Sequence, residues 1–416
     1  MKIYKFGGAS VKDADGVKNI ATILQEESNE SLVIVVSAMG KMTNAFEELV
    51  SSVLDKMNVE VKLNYIKNYH QDIVDSLLEN PKSIQSKINQ LFEEIESKIK
   101  KIESKDYDFV YDQLVCYGEL LSTTIVSGYL NYVGVSNEWK DVRELIITDD
   151  TFRDAKIDWE QAQEQIQTQI NSDAITLVQG FLGGNSKGET TTLGREGSDY
   201  TAGIFAYCLN AKDVTIWKDV DGVLNADPRV FENTTLLEQI SYQEAIEMAF
   251  YGASVIHPKT IQPLQSKEIP LWVKSFINPK KKGTQVSRGV DLYPEIPCFI
   301  VKKNQILISI STKDFSFVVE DNISYIFKLL HKYQLQVSVL QNSAISFSVC
   351  LDNKFQQFDQ FLDDISQSFK VKYNQGVDLY TVRYFDETSQ SQILKRGKLL
   401  LRQTTQKTTQ MVIQPN

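Results

Sequence analysis

Histidine and cysteine are scarce in this 416-residue chain, with three of the first and four of the second. Cys116, Cys208, Cys298 and Cys350 are far apart and form no CxxC pair. This argues against a disulfide framework or a zinc site and fits a reducing compartment. With only His70, His257 and His331 available, a histidine-rich metal centre has almost no ligands. Clustered basic residues are also missing. The net charge is −10 and the C-terminal stretch is not strongly basic, which argues against nucleic acid as a partner. No apolar run approaches the ~18 residues that cross a bilayer. Met1 leads directly into the strand-like IYKF, with no room for a signal peptide. The expectation is a soluble, cytoplasmic protein with no membrane partner.

What is present is an ordinary globular composition, 42% apolar and 24% charged, in a chain long enough for two or three domains. Short β-branched runs alternate with helical patterns over the first 275 residues: 2–6, 31–38, 144–149, 174–181, 213–219 and 269–276. Several are apolar on both faces, the mark of parallel strands between helix layers. The pattern predicts a three-layer αβα sandwich with a mainly parallel sheet. Helices are expected over 11–27 and through a long block, 44–132. Residues 277–291 carry turn residues and no periodicity, and read as the end of the first domain or a surface loop. Beyond about 298 the order βαββαβ over roughly 303–375 predicts an α+β ferredoxin-like module. Three more strands follow, at 378–385, 398–404 and 408–414, with a polar stretch between the first two.

Five stretches are suited to chemistry. In KFGGAS (5–10), between a strand and a helix, Gly7 and Gly8 let backbone N–H groups approach an anion and Lys5 stands at the strand end. Ser10 is a candidate helix cap, with Asp13 three residues on. The same Gly pair also makes a plain tight turn, and the spacing is not that of a P-loop. In SAMGKMTN (37–44), Asn44 reads as a cap and Thr43 is open. In YGELLS (117–122), Glu119 sits among apolar helical positions, where a carboxylate is costly unless paired. On its own it reads as paired with a lysine or facing solvent, and otherwise as a receiver for a ligand ammonium. In TTLGREGSDYTA (191–202), Arg195 offers a fork for a carboxylate or phosphate, while Ser198 or Asp199 starts a helix. WKDVDGVLNADPR (217–229) ends a buried strand in acidic and turn residues, where open α/β sheets bind ligands, or simply makes two turns.

In this order and spacing, KFGGAS, SAMGKMTN, YGELLS, TTLGREGSDYTA, WKDVDGVLNADPR and YGASVIHPKTI (251–261) resemble the aspartokinases of the amino-acid kinase superfamily. The resemblance covers essentially the whole chain. It implies a catalytic domain over 1–295 and a regulatory ACT region over 296–416, with one complete module at about 303–375 and a reduced second one. It also implies transfer of the γ-phosphoryl group of ATP to the side-chain carboxylate of L-aspartate, at the head of lysine, threonine and methionine synthesis. By the same resemblance, Lys5 stabilises the transferring group, Gly7 and Gly8 cradle phosphate, and Asp199 orients Lys5. Thr43, Glu119, Arg195 and Ser198 hold aspartate. Lys218, Asp219, Leu224, Arg229 and Ser254 fall at nucleotide-binding positions. Magnesium is expected to bridge the phosphates with few dedicated protein ligands. A homodimer through the ACT sheets and an amino-acid effector, lysine or threonine, are further implications.

Several positions depart from the family pattern. Ala9 and Lys218 each stand where Thr is usual, Leu224 where Tyr is frequent, and Ser254 where Lys is common, with Lys218 as the candidate replacement for that cation. None of these is Lys5, Glu119, Arg195 or Asp199. His257 reads as structural, at a helix start before Pro258. The rival readings are a superfamily kinase acting on another acid and a catalytically inactive amino-acid sensor of the same fold. A fused homoserine dehydrogenase is not expected at this length.

Overall fold

A computed structural model of the chain describes residues 1–416 apart from 27–30, 80, 254–255 and 315. The chain divides into two units. The first comprises Met1–Val223, Leu236–Ile246 and Ile256–Asp291, and the second Leu224–Thr235, Glu247–Val255 and Leu292–Asn416.

The first unit is built on an eight-stranded sheet. Its strands are β1 (Lys2–Phe6), β2 (Leu32–Val36), β3 (Glu138–Lys140), β5 (Ile175–Gln179), β8 (Val214–Lys218), β9 (Gln239–Ser241), β10 (Leu271–Ser275) and β11 (Thr284–Ser287), in the order β3-β5-β2-β1-β8-β10-β11-β9. Every pair is parallel except β10 with β11. All five residues of β2 are buried, so helices must cover both faces. The unit's helices include α1 (Ala14–Glu26), α2 (Met42–Asp55), α3 (Val59–Leu77), α4 (Lys82–Lys101), α5 (Tyr107–Tyr132), α6 (Trp159–Gln169) and α7 (Gly197–Leu209). The α7 helix packs on β1, β2 and β8, and α5 on β2, β3 and β5. Both are apolar almost all round, as buried helices are.

Several expectations are corrected. Of 144–149, only Ile147–Thr148 (β4) is a strand, and it joins β6 (Leu182–Asn185) and β7 (Thr190–Thr192) in a separate three-stranded sheet. Residues 8–11 form a 3-10 turn before α1. Asp13, not Ser10, serves the start of α1, its carboxylate accepting from the Gly16 N–H at 2.8 Å. Thr43 and Asn44 lie inside the first turn of α2 and do not cap it. The 277–291 stretch contains β11, which lacks apolar periodicity because a hydroxyl stabilises it. Thr284 Oγ1 accepts from the Val223 N–H and donates to the Leu237 carbonyl.

The second unit is a six-stranded antiparallel sheet. Its elements are β12 (Cys298–Thr312), α8 (Glu320–Lys332), β13 (Gln336–Asn342), β14 (Ser346–Asp352), α9 (Phe358–Ser368), β15 (Phe369–Arg383), α10 (Glu387–Leu394), β16 (Gly397–Thr404) and β17 (Thr408–Pro415), with strand order β13-β14-β12-β15-β17-β16. The polar 386–396 stretch holds α10, which alternation alone does not reveal. Asp386 and Ser389 cap it reciprocally, at 2.7 and 2.9 Å, and Ile393 is buried on its inner face. Ala226 and Phe231, from the Leu224–Thr235 segment, pack in one cluster with Tyr380, Val382, Ile393, Met411 and Ile413. Among the described residues no helix is long and apolar enough to cross a membrane.

Phe361 is fully buried beside Ile326, Phe358 and Ile365. Phe361→Ala is expected to cost the second unit about 3–5 kcal/mol. Denaturant unfolding followed by circular dichroism reads this, and a loss below about 1 kcal/mol would contradict the packing described.

Candidate active site

The carboxyl ends of β2, β1 and β8 open onto one cavity of about 610 Å³. The loop after β1 is held against the loop after β2. The Gly40 N–H donates to the Gly8 carbonyl at 3.0 Å. A Cβ on Gly8 would lie 2.8 Å from the carbonyl oxygens of Ala38 and Gly40, so no other residue fits without moving backbone. Gly7 and Gly8 both line the cavity, with Ser37 from the neighbouring loop.

The far wall is the N-terminal turn of α7. Glu196 precedes it with a positive φ of 54°, and Arg195, Ser198 and Asp199 all face the cavity. Asp199 is buried, and Lys5 Nζ approaches its Oδ1 at 2.6 Å while Lys218 Nζ stands 3.9 Å from Oδ2. Burial alone would raise the Asp199 carboxyl. The two lysines overcome it and hold the pKa below the ordinary value. Arg195 is exposed and has no ion-pair or hydrogen-bond partner among the described residues.

Glu119 differs from Asp199 in having no cation beside it among the described residues. It is 2% exposed, and its Oε1 receives only a long 3.4 Å contact from the Ala38 N–H. Its Oε2 has no hydrogen-bond partner among the described residues. Burial pushes its pKa up to about 8, against the slight opposing pull of that backbone contact. The reading of a lysine pair or a solvent-facing side chain is therefore overturned: a carboxyl group lines a cavity with one oxygen unsatisfied, and an ammonium group would satisfy it.

Of the residues singled out from the sequence, Lys5, Gly7, Gly8, Thr43, Glu119, Arg195, Ser198, Asp199, Lys218 and Asp219 line this one cavity. Leu224 and Arg229 belong to the second unit, where the exposed Arg229 pairs with Asp227 at 2.7 Å. Ser254 lies outside the described residues. His257 caps the following helix, its Nδ1 accepting from the Lys259 N–H at 3.2 Å.

Tyr111, Arg153, Phe181 and Trp217 also line the cavity and went unnoticed in the sequence. So did Asp112, which ties three strands of chain together. Its Oδ1 accepts from Thr192 Oγ1 at 2.7 Å, and its Oδ2 from the backbone N–H groups of Thr192 and Arg153 at 2.9 and 3.0 Å. Burial raises its pKa to about 6 in spite of these donors. The signal that could have found it is the one that marked Glu119, a carboxylate inside the apolar helix α5.

Residues 1–275 match the model of the amino acid kinase family. Lysine-sensitive aspartokinase 3 of Escherichia coli is 34% identical over 358 residues, covering 84% of this chain and 78% of that protein. The chain belongs to the aspartokinases. Chloroplastic aspartokinase 1 of Arabidopsis thaliana is 36% identical over 364 residues, and the match spans 63% of its length. Among solved structures, E. coli aspartokinase III in complex with lysine and aspartate superposes with a TM-score of 0.83 at 28% identity, covering 100% of this chain and 96% of that one. The same enzyme with aspartate and ADP gives 0.80 at 27%, covering 99% and 96%. In this aspartokinase chain Lys5, Lys218, Arg195 and the Glu119 carboxyl all line a single cavity.

The raised Glu119 pKa has a definite sign. Its folded value, about 8, lies above the ordinary 4.5, so its favourable contribution is complete below 4.5 and is lost as pH rises towards 8. Glu119→Gln is expected to stabilise the ligand-free protein at pH 8 by roughly 1–3 kcal/mol, with the difference closing as pH falls. Thermal unfolding across this range measures it, and parallel curves for the two proteins would contradict the assignment.

Proposed function

We propose that the chain is an aspartate kinase whose cavity binds L-aspartate at the Glu119 and Arg195 end and the ATP phosphates at the Lys5 end. The observation that carries the reading is the buried, unsatisfied Glu119 in the same cavity as the Lys5–Asp199 pair. The E. coli aspartokinase III structure with aspartate and ADP supports it. The acceptor carboxylate, with a pKa near ~3.9, is already ionised at neutral pH, so no general base is required. One of its oxygens forms a bond to Pγ while the bond from Pγ to the β-phosphate oxygen breaks, giving 4-phospho-L-aspartate and ADP. Catalysis then consists of positioning and charge neutralisation.

Each side chain has a role consistent with its surroundings. Glu119 receives the substrate ammonium, which lowers the cost of its own ionisation. Arg195 holds the α-carboxylate, with the Thr43 and Ser198 hydroxyls beside it. The N–H groups at the start of α7 add partial positive charge. Lys5 stabilises the charge that develops on the phosphoryl oxygens, and Asp199 fixes its position. Gly7 and Gly8 let backbone donors approach phosphate, and Lys218 and Asp219 lie towards the nucleotide. Roles for Leu224, Arg229 and Ser254 at the nucleotide rest on the family resemblance.

Magnesium prefers oxygen ligands and keeps several of its waters or phosphate oxygens. Asp219 and Glu196 are carboxylates on the cavity wall. Among the described residues, no group of three or more His, Cys, Asp or Glu side chains is arranged to hold a metal. This donor set fits an ion held mainly by nucleotide phosphates, with Asp219 beside it, and the ion would supply positive charge to those phosphates. A cytoplasmic homodimer joined through the second unit's sheet and inhibited by lysine or threonine completes the proposal. The E. coli structure with lysine supports the effector.

Trapping the acyl phosphate with hydroxylamine, in the presence of ATP and magnesium, tests the reaction. Product is expected with L-aspartate and not with L-glutamate or N-acetylglutamate. Lys5→Ala is expected to lose at least ~10²-fold in kcat. Product from another acid would reassign the grip around Arg195 and Glu119. None from any acid would favour the sensor reading. Light scattering on the eluting protein is expected to give twice the mass of the 47.3 kDa chain, and a monomer at micromolar concentration would remove the dimer.

A further inference from the structure

Arg153 lies in the turn DDTFRDAK (149–156), in the left-handed region with φ 65°. Glycine occupies that region without strain and arginine does not. Non-glycine residues held there cluster at functional sites. The backbone does not explain the choice of residue, because the Arg153 N–H that donates to Asp112 would be present in glycine as well. The side chain does something more. Its guanidinium lies 4.4 Å from the Tyr111 ring centre and 5.3 Å from that of Tyr107. Nη1 donates to Asp108 Oδ1 at 3.1 Å, and Nη2 stands 3.8 Å from Glu47 Oε1. A guanidinium carries several donors in a rigid fork, and among the described residues this one makes a single side-chain hydrogen bond.

Two further contacts place this fork at the amino-acid end of the cavity. Tyr111 lies on α5 two turns before Glu119, and both line the cavity with Arg153. The turn also abuts the loop that carries Arg195. A Cβ on Gly194 would lie 2.6 Å from Asp154 Oδ1 and 3.1 Å from the Arg153 carbonyl oxygen, and Lys259 pairs with Asp154. Two guanidiniums therefore enter one cavity from two touching loops, one without a partner and one stacked on an aromatic ring.

We propose that Arg153 is a positioning and specificity-determining residue that shares the substrate α-carboxylate with Arg195, exchanging its Asp108 and Glu47 partners for the ligand. The inference rests on the aspartate-kinase reading of this site. An amino acid with two carboxylates and one ammonium needs more than one cation. Lys5 serves the phosphoryl end, Glu119 the ammonium, and the Arg153–Arg195 pair the carboxylate that does not react. The Tyr111 face keeps the Arg153 fork flat and limits the freedom it loses on binding.

The test uses the full chain with Arg153→Gly, which the left-handed backbone accepts, and Arg153→Lys, which keeps the charge and removes the fork. KM and kcat are measured with L-aspartate and with its α-amide, which retains the reacting carboxylate and lacks the other. Calorimetric titration of both ligands runs in parallel. For Arg153→Gly, the KM and Kd for L-aspartate are expected to rise ~10- to 100-fold, the size of a lost charged hydrogen bond. The kcat and the KM for ATP should hold, and the α-amide should lose little. The wild-type preference for aspartate over its amide then collapses by the same factor, with Arg153→Lys intermediate. Equal losses for both ligands would make Arg153 a packing residue and overturn the proposal, as would an unchanged Kd for aspartate or a selective rise in the KM for ATP. Wild-type protein that binds aspartate without turnover would defeat the kinase reading and leave the binding ratio to decide on Arg153. Wild-type protein that binds neither ligand would defeat both.

Discussion

A carboxylate buried at a helix start has to be balanced by charge, and the site is arranged around that requirement. Asp199 is buried, and among the described residues Lys5 and Lys218 keep it ionised. Lys5 is the last residue but one of the central strand β1, and Lys218 ends its neighbour β8. The parallel register that places Lys5 beside Ile216 and Phe6 beside Trp217 therefore brings two cations to one acid. A slip of one residue would send alternate side chains to the opposite faces and separate the charges. The sheet and the ion pair specify each other.

Glu119 stands in the opposite condition. It is as deeply buried as Asp199, yet among the described residues no cation accompanies it. An unpaired carboxyl in that setting destabilises the ligand-free protein, and the cost is recovered when a positive ligand arrives. Asp199 is thus satisfied by the fold and Glu119 by the ligand. Two acids on two helices, similar in burial, divide structure from recognition.

Much of this was legible in the sequence, and what was not has physical reasons. The parallel strands announced themselves because strands covered on both faces are apolar throughout, as β2 is. The short strand β11, between β10 and β9, was hidden because Thr284, rather than an apolar residue, secures it. The helix α10 was hidden because one inward Ile393 leaves no periodicity to read. Asp112 sat within an apparently amphipathic block, and its partners Thr192 and Arg153 are distant in sequence. The membership of Leu224–Thr235 in the second unit leaves no compositional trace, because Ala226 and Phe231 look like any loop residues before their neighbours are known. Arg153 was invisible for a further reason: a left-handed backbone conformation is not written in the identity of an arginine.

The strands β12 and β15 each run for 15 residues and pair with each other from Cys298–Arg383 to Thr312–Phe369. One end of this ribbon carries β14 and the other carries β17, so the part that resembles a complete module and the part that resembles a reduced one share two long strands, with a register shift between Lys302 and Ile306. Neither part can be excised as a polypeptide without severing both strands in mid-span and exposing a long row of unpaired backbone groups. For anyone wishing to express this sheet in pieces, its indivisible segment begins before Cys298 and continues to the last strand.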